Sequence, residues 1–89
     1  MAKLVFSHSF VDALARVESD RVRDRIVALV SYLETTPDMG SPDVRPMIAA
    51  RFGGTVRKLV VMPFDIFYIY DPEKDEVHVD ALVHHRVIR

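Results

Sequence analysis

The pattern of apolar residues changes once along this chain, near Thr55. Before that position, apolar residues recur every three or four places, which predicts amphipathic helices. After it, β-branched and aromatic residues dominate three short segments that are separated by turn residues, which predicts strands. Helices followed by strands predict an α+β fold, in which a pair of helices covers one face of a small, curved and mainly antiparallel sheet.

The N-terminal half predicts one short strand and then a two-helix hairpin. The strand is Lys3–Phe6. Ser9 and Asp12 have the spacing of a capping box, so we expect the first helix to start at Ser9. Ser19 is the predicted N-cap of the second helix. This helix ends before Pro37, because proline disfavours the α conformation in the residue that precedes it.

A long connection follows, from residue 37 to residue 54. It contains three prolines and all 3 glycines of the chain. We expect a short helical turn within it, around Met47–Arg51, and loops of this length are usually functional or mobile. The connection does not separate two domains, because neither side is long enough to bury a core alone. Residues 1–89 are therefore predicted to form a single domain.

The three C-terminal strands are predicted to form an antiparallel meander. They span Val56–Met62, Ile66–Tyr70 and Glu76–Val83. Strict alternation along the last strand divides its residues between two faces. The face predicted to meet the helices carries Val77, Val79, Ala81 and Val83. The other face, which is polar enough for a site, carries His78, Asp80, Leu82, His84 and Arg86.

Charge is unevenly distributed along the chain, although its formal sum is only −1. Residues 45–64 contain four cations and no acid, and the ending 84–89 is also basic. Acidic residues gather in 71–80 instead. Such segregation is consistent with a basic patch for an anionic partner, and equally with chance clustering on a solvated surface.

Several classes of protein are excluded or disfavoured. The absence of cysteine excludes disulfides and cysteine–zinc sites and fits a cytoplasmic location. The first residues lack a signal-peptide core, and no apolar run is long enough to span a membrane. His78, Asp80 and His84 are conceivable metal ligands, but nothing in the pattern requires a metal, so we predict neither a metal nor a cofactor.

A few side chains are candidates for chemistry. His84 is the first acid–base candidate, because imidazole titrates near neutral pH. Arg86 lies two residues further on and could bind phosphate with its planar guanidinium. Arg51, Arg57 and Lys58 are candidate phosphate contacts, although the adjacent Arg57 and Lys58 must point to opposite faces. The alternative is that all five are ordinary solvated residues.

The order of these elements resembles that of the RelE/ParE toxin superfamily. The motif segments are the strand VRKLVV, the strand DIFYIYD and the ending VHVDALVHHR, and the resemblance covers nearly the whole chain. It implies the toxin of a type II toxin–antitoxin module, associated with plasmid stabilization and held inactive in the cytoplasm by a cognate antitoxin. It is compatible with a homodimer or with a toxin–antitoxin hetero-oligomer.

Two activities occur in that superfamily. RelE-like members are mRNA interferases, endoribonucleases that inhibit translation by cutting mRNA on the ribosome, whereas ParE-like members poison DNA gyrase and are not nucleases. We place the RelE-like activity first. The resemblance then implies that His84, Arg86 and Arg57 are catalytic, without a metal. It implies RNA-binding or partner-binding roles for Arg45, Arg51, Lys58, Tyr68, His85 and Arg89.

Two positions depart from the pattern of the cleaving members. Asp65 and Ala81 stand where those members often carry basic residues. Loss of cations weakens stabilisation of a phosphoryl transition state. A gyrase poison, or an inactive relative that only binds a partner, therefore remains open. The strand pattern also favours Tyr68 as a core aromatic rather than a ligand contact.

Overall fold

The computed structural model describes residues 1–51 and 55–87, without the side chain of Val87. The elements are β1 (Lys3–Phe6), α1 (His8–Ala15), α2 (Asp20–Ser31), α3 (Pro46–Arg51), β2 (Val56–Val61), β3 (Phe64–Asp71) and β4 (Glu76–His84). Short 3₁₀ turns follow α2 at Tyr32–Glu34 and β4 at His85–Val87. The predicted α+β class and the predicted strands are confirmed, with small changes in bounds. In this part of the chain, no helix has the length and apolar character needed to cross a membrane.

The four strands form one mixed sheet in the order β1-β4-β3-β2. The predicted meander is confirmed, because β2, β3 and β4 pair in antiparallel fashion. β1 pairs with β4 in parallel fashion at one edge of the sheet, and β2 lies at the other edge, so the chain crosses the sheet between β1 and β2. Since β1 precedes the helices, and α1 contacts β4 while α2 contacts β2, the predicted N-terminal helical hairpin is not confirmed.

Both main helices start at a serine whose hydroxyl accepts a backbone N–H. Ser19 caps α2 through the N–H of Val22 at 3.2 Å, as predicted. The predicted start of α1 at Ser9 is wrong, because Ser7 is the N-cap and accepts from Phe10 N–H at 3.0 Å. The Ser7 hydroxyl also donates to the carbonyl of Asp80 at 2.7 Å. This bond to β4 selects Ser7 over Ser9.

The hydrophobic core lies between the helices and one face of the sheet, which we call the helix side. Each large apolar side chain buried there contributes about 1.5–3 kcal/mol relative to full exposure. The largest fully buried side chains of this core are Ile26, Leu33, Ile66, Tyr68, Val77 and Val79.

A β-bulge interrupts β4 at Asp80. Tyr68 pairs with Val79, and the preceding Phe67 pairs with Ala81, so Asp80 is the extra residue of β4. The insertion shifts the alternation of all later side chains. The predicted faces are therefore wrong beyond Asp80. Leu82 and His84 join Val77 and Val79 on the helix side, while Ala81 and Val83 lie on the opposite side.

Candidate functional site

The polar groups of interest lie at one end of the sheet, where β2 ends, β3 begins and β4 ends. Phe64 pairs with Val61 on one flank and with His84 on the other. Consecutive residues point to opposite faces of a sheet. The two adjacent histidines, His84 and His85, consequently serve two different surfaces.

His84 and Arg86 line an open cleft on the helix side, with a volume of about 450 Å³. The His84 ring packs edge-on against Phe64, with ring centroids 5.2 Å apart. Its Nδ1 accepts a hydrogen bond from the backbone N–H of Arg86 at 3.2 Å. A neutral His84 must therefore carry its proton on Nε2. We call the space beside His84 and Arg86 the helix-side cleft. The charged and aromatic residues that line it are Arg16, Glu18, Phe64, His84 and Arg86.

His85 lies on the opposite face and pairs with Asp65. The distance from His85 Nε2 to Asp65 Oδ1 is 2.9 Å, and Asp65 is 8% exposed. A carboxylate only accepts hydrogen bonds, so Nε2 of His85 donates and Nδ1 keeps the lone pair of the neutral ring. The backbone N–H of His85 donates to the carbonyl of Pro63 at 2.9 Å, which fixes the chain next to the ring. The imidazole is held in one orientation by this pair of contacts.

Two cations lie beside this pair. Lys58 and Arg45 line a cavity of about 90 Å³ together with Asp65. Lys58 points to the same face as Asp65, because it pairs with Phe67, two residues along β3. We call Arg45, Lys58, Asp65 and His85 the open-face site. An oriented imidazole beside cations can move a proton while the cations stabilise negative charge on a phosphate.

Comparison with solved structures identifies this arrangement of elements. A chain of the intact E. coli RelBE toxin–antitoxin complex matches with a TM-score of 0.75 and 15% identity, over 94% of this chain and 96% of that chain. The isolated E. coli RelE toxin, in its P21 crystal form, matches with a TM-score of 0.73 and 14% identity, over 94% of this chain and 84% of that chain. No protein-family model and no curated protein sequence matches. This is the RelE toxin fold.

The RelE fold divides the three residues predicted to be catalytic. His84 and Arg86 share the helix-side cleft. Arg57 lies four residues before Val61 on β2, which places it about 13 Å further along the strand direction than His84. Its guanidinium donates to the carbonyls of Gly40 at 2.8 Å and Asp38 at 3.2 Å. Arg57 thus holds the loop before α3 and is not brought beside the two others.

The residues predicted to bind RNA or a partner also separate within the RelE fold. Arg45 and Lys58 line the cavity beside Asp65, and His85 contacts Asp65 directly. Arg51 is exposed at the last position of α3. Arg89 lies outside the described residues.

Tyr68 belongs to the core of the RelE fold. Its side chain is 0% exposed, so it does not face a ligand. The hydroxyl donates to the carbonyl of Pro37 at 2.8 Å and accepts from the N–H of Gly40 at 2.8 Å. Burial raises the pKa of this hydroxyl, while the hydrogen bond from Gly40 and the charge of Arg57 oppose that rise.

Sequence reasoning missed the pairing of Asp65 and the contribution of Arg16. The predicted strand Ile66–Tyr70 begins after Asp65, so the sequence did not indicate that this carboxyl group is buried. The structure places Asp65 inside β3, where a buried carboxylate requires a partner. The identity of that partner was hidden, since the bulge at Asp80 decides which histidine reaches it. Nothing in the sequence indicated that Arg16, at the end of α1, faces the cleft.

Proposed function

We propose that this chain is the toxin of a toxin–antitoxin module and that it arrests growth by cutting mRNA on the ribosome. The observation that carries this proposal is the likeness to E. coli RelE over 94% of the chain. One of those structures is a complex with an antitoxin, which supports a cognate antitoxin as the partner of this chain. The toxin would act in the cytoplasm, where its target is found.

The open-face site is the proposed catalytic centre. In metal-independent cleavage the ribose 2′-oxygen loses its proton and attacks the adjacent phosphorus, and the bond from phosphorus to the 5′-oxygen breaks. The Nδ1 lone pair of His85 would accept the 2′ proton, because Asp65 holds the opposite nitrogen. Lys58 and Arg45 would stabilise the added negative charge on the phosphate. The departing 5′-oxygen takes a proton from solvent or from the Lys58 ammonium.

This assignment moves the acid–base role from His84 to His85. The Nδ1 of His84 already accepts the backbone N–H of Arg86, so a neutral His84 offers only a donor. The sheet separates the two rings, so they do not serve the same phosphate. Asp65 then has a catalytic purpose of its own in this proposal, because its carboxylate orients the His85 ring that acts as the general base.

Expression of the chain from an inducible promoter in a bacterial host tests the proposal. We expect growth arrest with transcripts cut within translated frames. His85→Ala should lower the cleavage rate by about 10²-fold or more, the usual contribution of a general base. His84→Ala should cost only several-fold. The matched control is His8→Ala, an exposed histidine at the start of α1, which should leave cleavage unchanged.

Other outcomes would overturn the proposal in distinguishable ways. Arrest with filamentation and DNA damage would indicate gyrase poisoning. No arrest from a chain that is folded by circular dichroism would indicate a module that only binds a partner. If His84→Ala abolishes cleavage while His85→Ala retains it, the catalytic centre lies in the helix-side cleft.

A further inference from the structure

We infer that the helix-side cleft is a second RNA-binding site, which takes one nucleotide with its phosphate and its base. The choice of RNA as the ligand rests on the proposed function. The cleft lies across the sheet from the open-face site, at the same end. Its volume of about 450 Å³ falls within the range of about 300–1,000 Å³ that small-ligand sites occupy.

One part of the cleft suits a phosphate group. Arg16, at the end of α1, and Arg86, in the 3₁₀ turn after β4, are both exposed and line the same space. Neither guanidinium forms an ion pair with an acid in residues 1–51 or 55–87. His84 adds an Nε2–H donor when its ring is neutral, because Nδ1 is occupied. Guanidinium groups bind phosphate oxygens through paired, charge-assisted hydrogen bonds.

Another part of the cleft suits a base. Pro63 and Phe64 are half-buried and present an apolar surface with an aromatic ring, on which bases of single-stranded RNA stack. Glu18 is the acidic residue of the lining, and carboxylates accept hydrogen bonds from the amino groups of bases. A nucleotide can use both charges of this lining, with its phosphate on the arginines and an amino group of its base on Glu18, whereas the carboxylates of an acidic peptide can use only the arginines. The combination therefore favours a nucleotide over an acidic protein segment.

Titration of the purified chain, followed through its backbone amide resonances by nuclear magnetic resonance, tests this inference without ribosomes. The probes are guanosine 5′-monophosphate, guanosine, inorganic phosphate and a 5′-phosphorylated RNA trinucleotide. We expect the monophosphate to shift the amides of Glu18, Ser19, Phe64 and Arg86, and to bind more tightly than guanosine or phosphate alone. The trinucleotide should shift the same amides and bind at least as tightly.

Charge-removing variants give the quantitative test. Arg16→Gln and Arg86→Gln should each weaken binding by about two- to fivefold, the size expected for an exposed ion pair. The matched control is Arg25→Gln, an exposed arginine of α2 outside the cleft lining, which should not change the affinity.

Four results would overturn the inference. They are shifts confined to Lys58, Asp65 and His85, equal weakening by Arg25→Gln, equally tight binding of an acidic hexapeptide, and a trinucleotide that leaves the amides of the cleft unshifted. The outcome is separable from the proposed function. Growth arrest together with an empty cleft would remove this inference alone, whereas nucleotide binding without growth arrest would remove the proposed function.

Discussion

The hydroxyl of Tyr68 joins the buried core to the loop before α3. It bonds to Pro37 and Gly40 across the edge of the sheet. The approach is close, because a Cβ on Gly40 would lie 2.7 Å from the Tyr68 ring and 2.9 Å from the Lys58 carbonyl. Only glycine fits there without displacement of its neighbours. One side chain therefore positions the loop that leads to Arg45.

Replacement of Tyr68 by phenylalanine should destabilise the protein by about 1–3 kcal/mol, because the buried N–H of Gly40 and the carbonyl of Pro37 would lose their partner. Urea unfolding measures the change. Tyr70→Phe is the matched control, since its hydroxyl bonds to Asp75 at the surface and its loss should cost less. Equal losses for the two variants would contradict a structural role for the buried hydroxyl.

Ionisation of Asp80, the bulged residue of β4, should make the free energy of unfolding depend on pH. Burial raises the pKa of its carboxyl group, while the charge of His78 opposes the rise. A pKa that is higher in the folded state favours folding fully below the unfolded value of about 3.9, and this contribution disappears as pH rises through the folded value.

Asp80→Asn should therefore be more stable than the parent protein near neutral pH, and the gain should vanish in acid below the unfolded pKa. Unfolding free energies measured for both proteins across that pH range check the prediction. A difference that does not change with pH would show that ionisation of Asp80 is not its cause.

At the scale of elements, Ser7 links the start of α1 to β4. Its hydroxyl accepts from Phe10 N–H and donates to the Asp80 carbonyl. Within residues 1–51 and 55–87, the hydroxyl of Ser19 makes the capping bond to Val22 and no tertiary hydrogen bond. Comparison of the two serines therefore separates the stability that an N-cap contributes within its own helix from the stability added by a tertiary hydrogen bond.

Ser7→Ala should cost about 1–2 kcal/mol and Ser19→Ala about 0.5–1 kcal/mol, in line with N-cap substitutions. Ser9→Ala, an exposed position inside α1, should stay within about 0.5 kcal/mol of the parent protein. Chemical denaturation of the three variants gives the comparison. A larger loss of unfolding free energy for Ser9→Ala than for Ser7→Ala would indicate that α1 starts at Ser9, as expected from the sequence.

The elements themselves were largely predictable. Helical periodicity located α2, and β-branched and aromatic residues located β2, β3 and β4, because these signals are local and repeat within each segment. The bulge in β4 was not predictable from alternation. It depends on how Phe67 and Tyr68 pair with β4, and such pairing joins residues distant in sequence.

At the scale of the whole molecule, stability depends on the core between the two main helices and the sheet. Ile26 is 0% exposed in α2, whereas its neighbour Val27 is 49% exposed. Domains of this size have total stabilities of about 5–15 kcal/mol, so the loss of one central side chain removes a large share.

Ile26→Ala should cost about 2–5 kcal/mol, because the substitution leaves a cavity that the surroundings fill only in part. Val27→Ala, with half of its side chain in solvent, should cost much less. Thermal unfolding followed by circular dichroism compares them. Similar melting temperatures for the two variants would contradict the placement of Ile26 in the core and of Val27 at the surface.

The sequence by itself determined the class of fold, the order of its elements and the toxin family that it resembles. These properties depend on local periodicity and on the order of residues along the chain. Only the tertiary structure decided which histidine meets Asp65, which arginine holds a loop and which side chains share the helix-side cleft. A single inserted residue at Asp80 exchanges the two faces of β4 beyond it, and its position is set by strand pairing rather than by local preference.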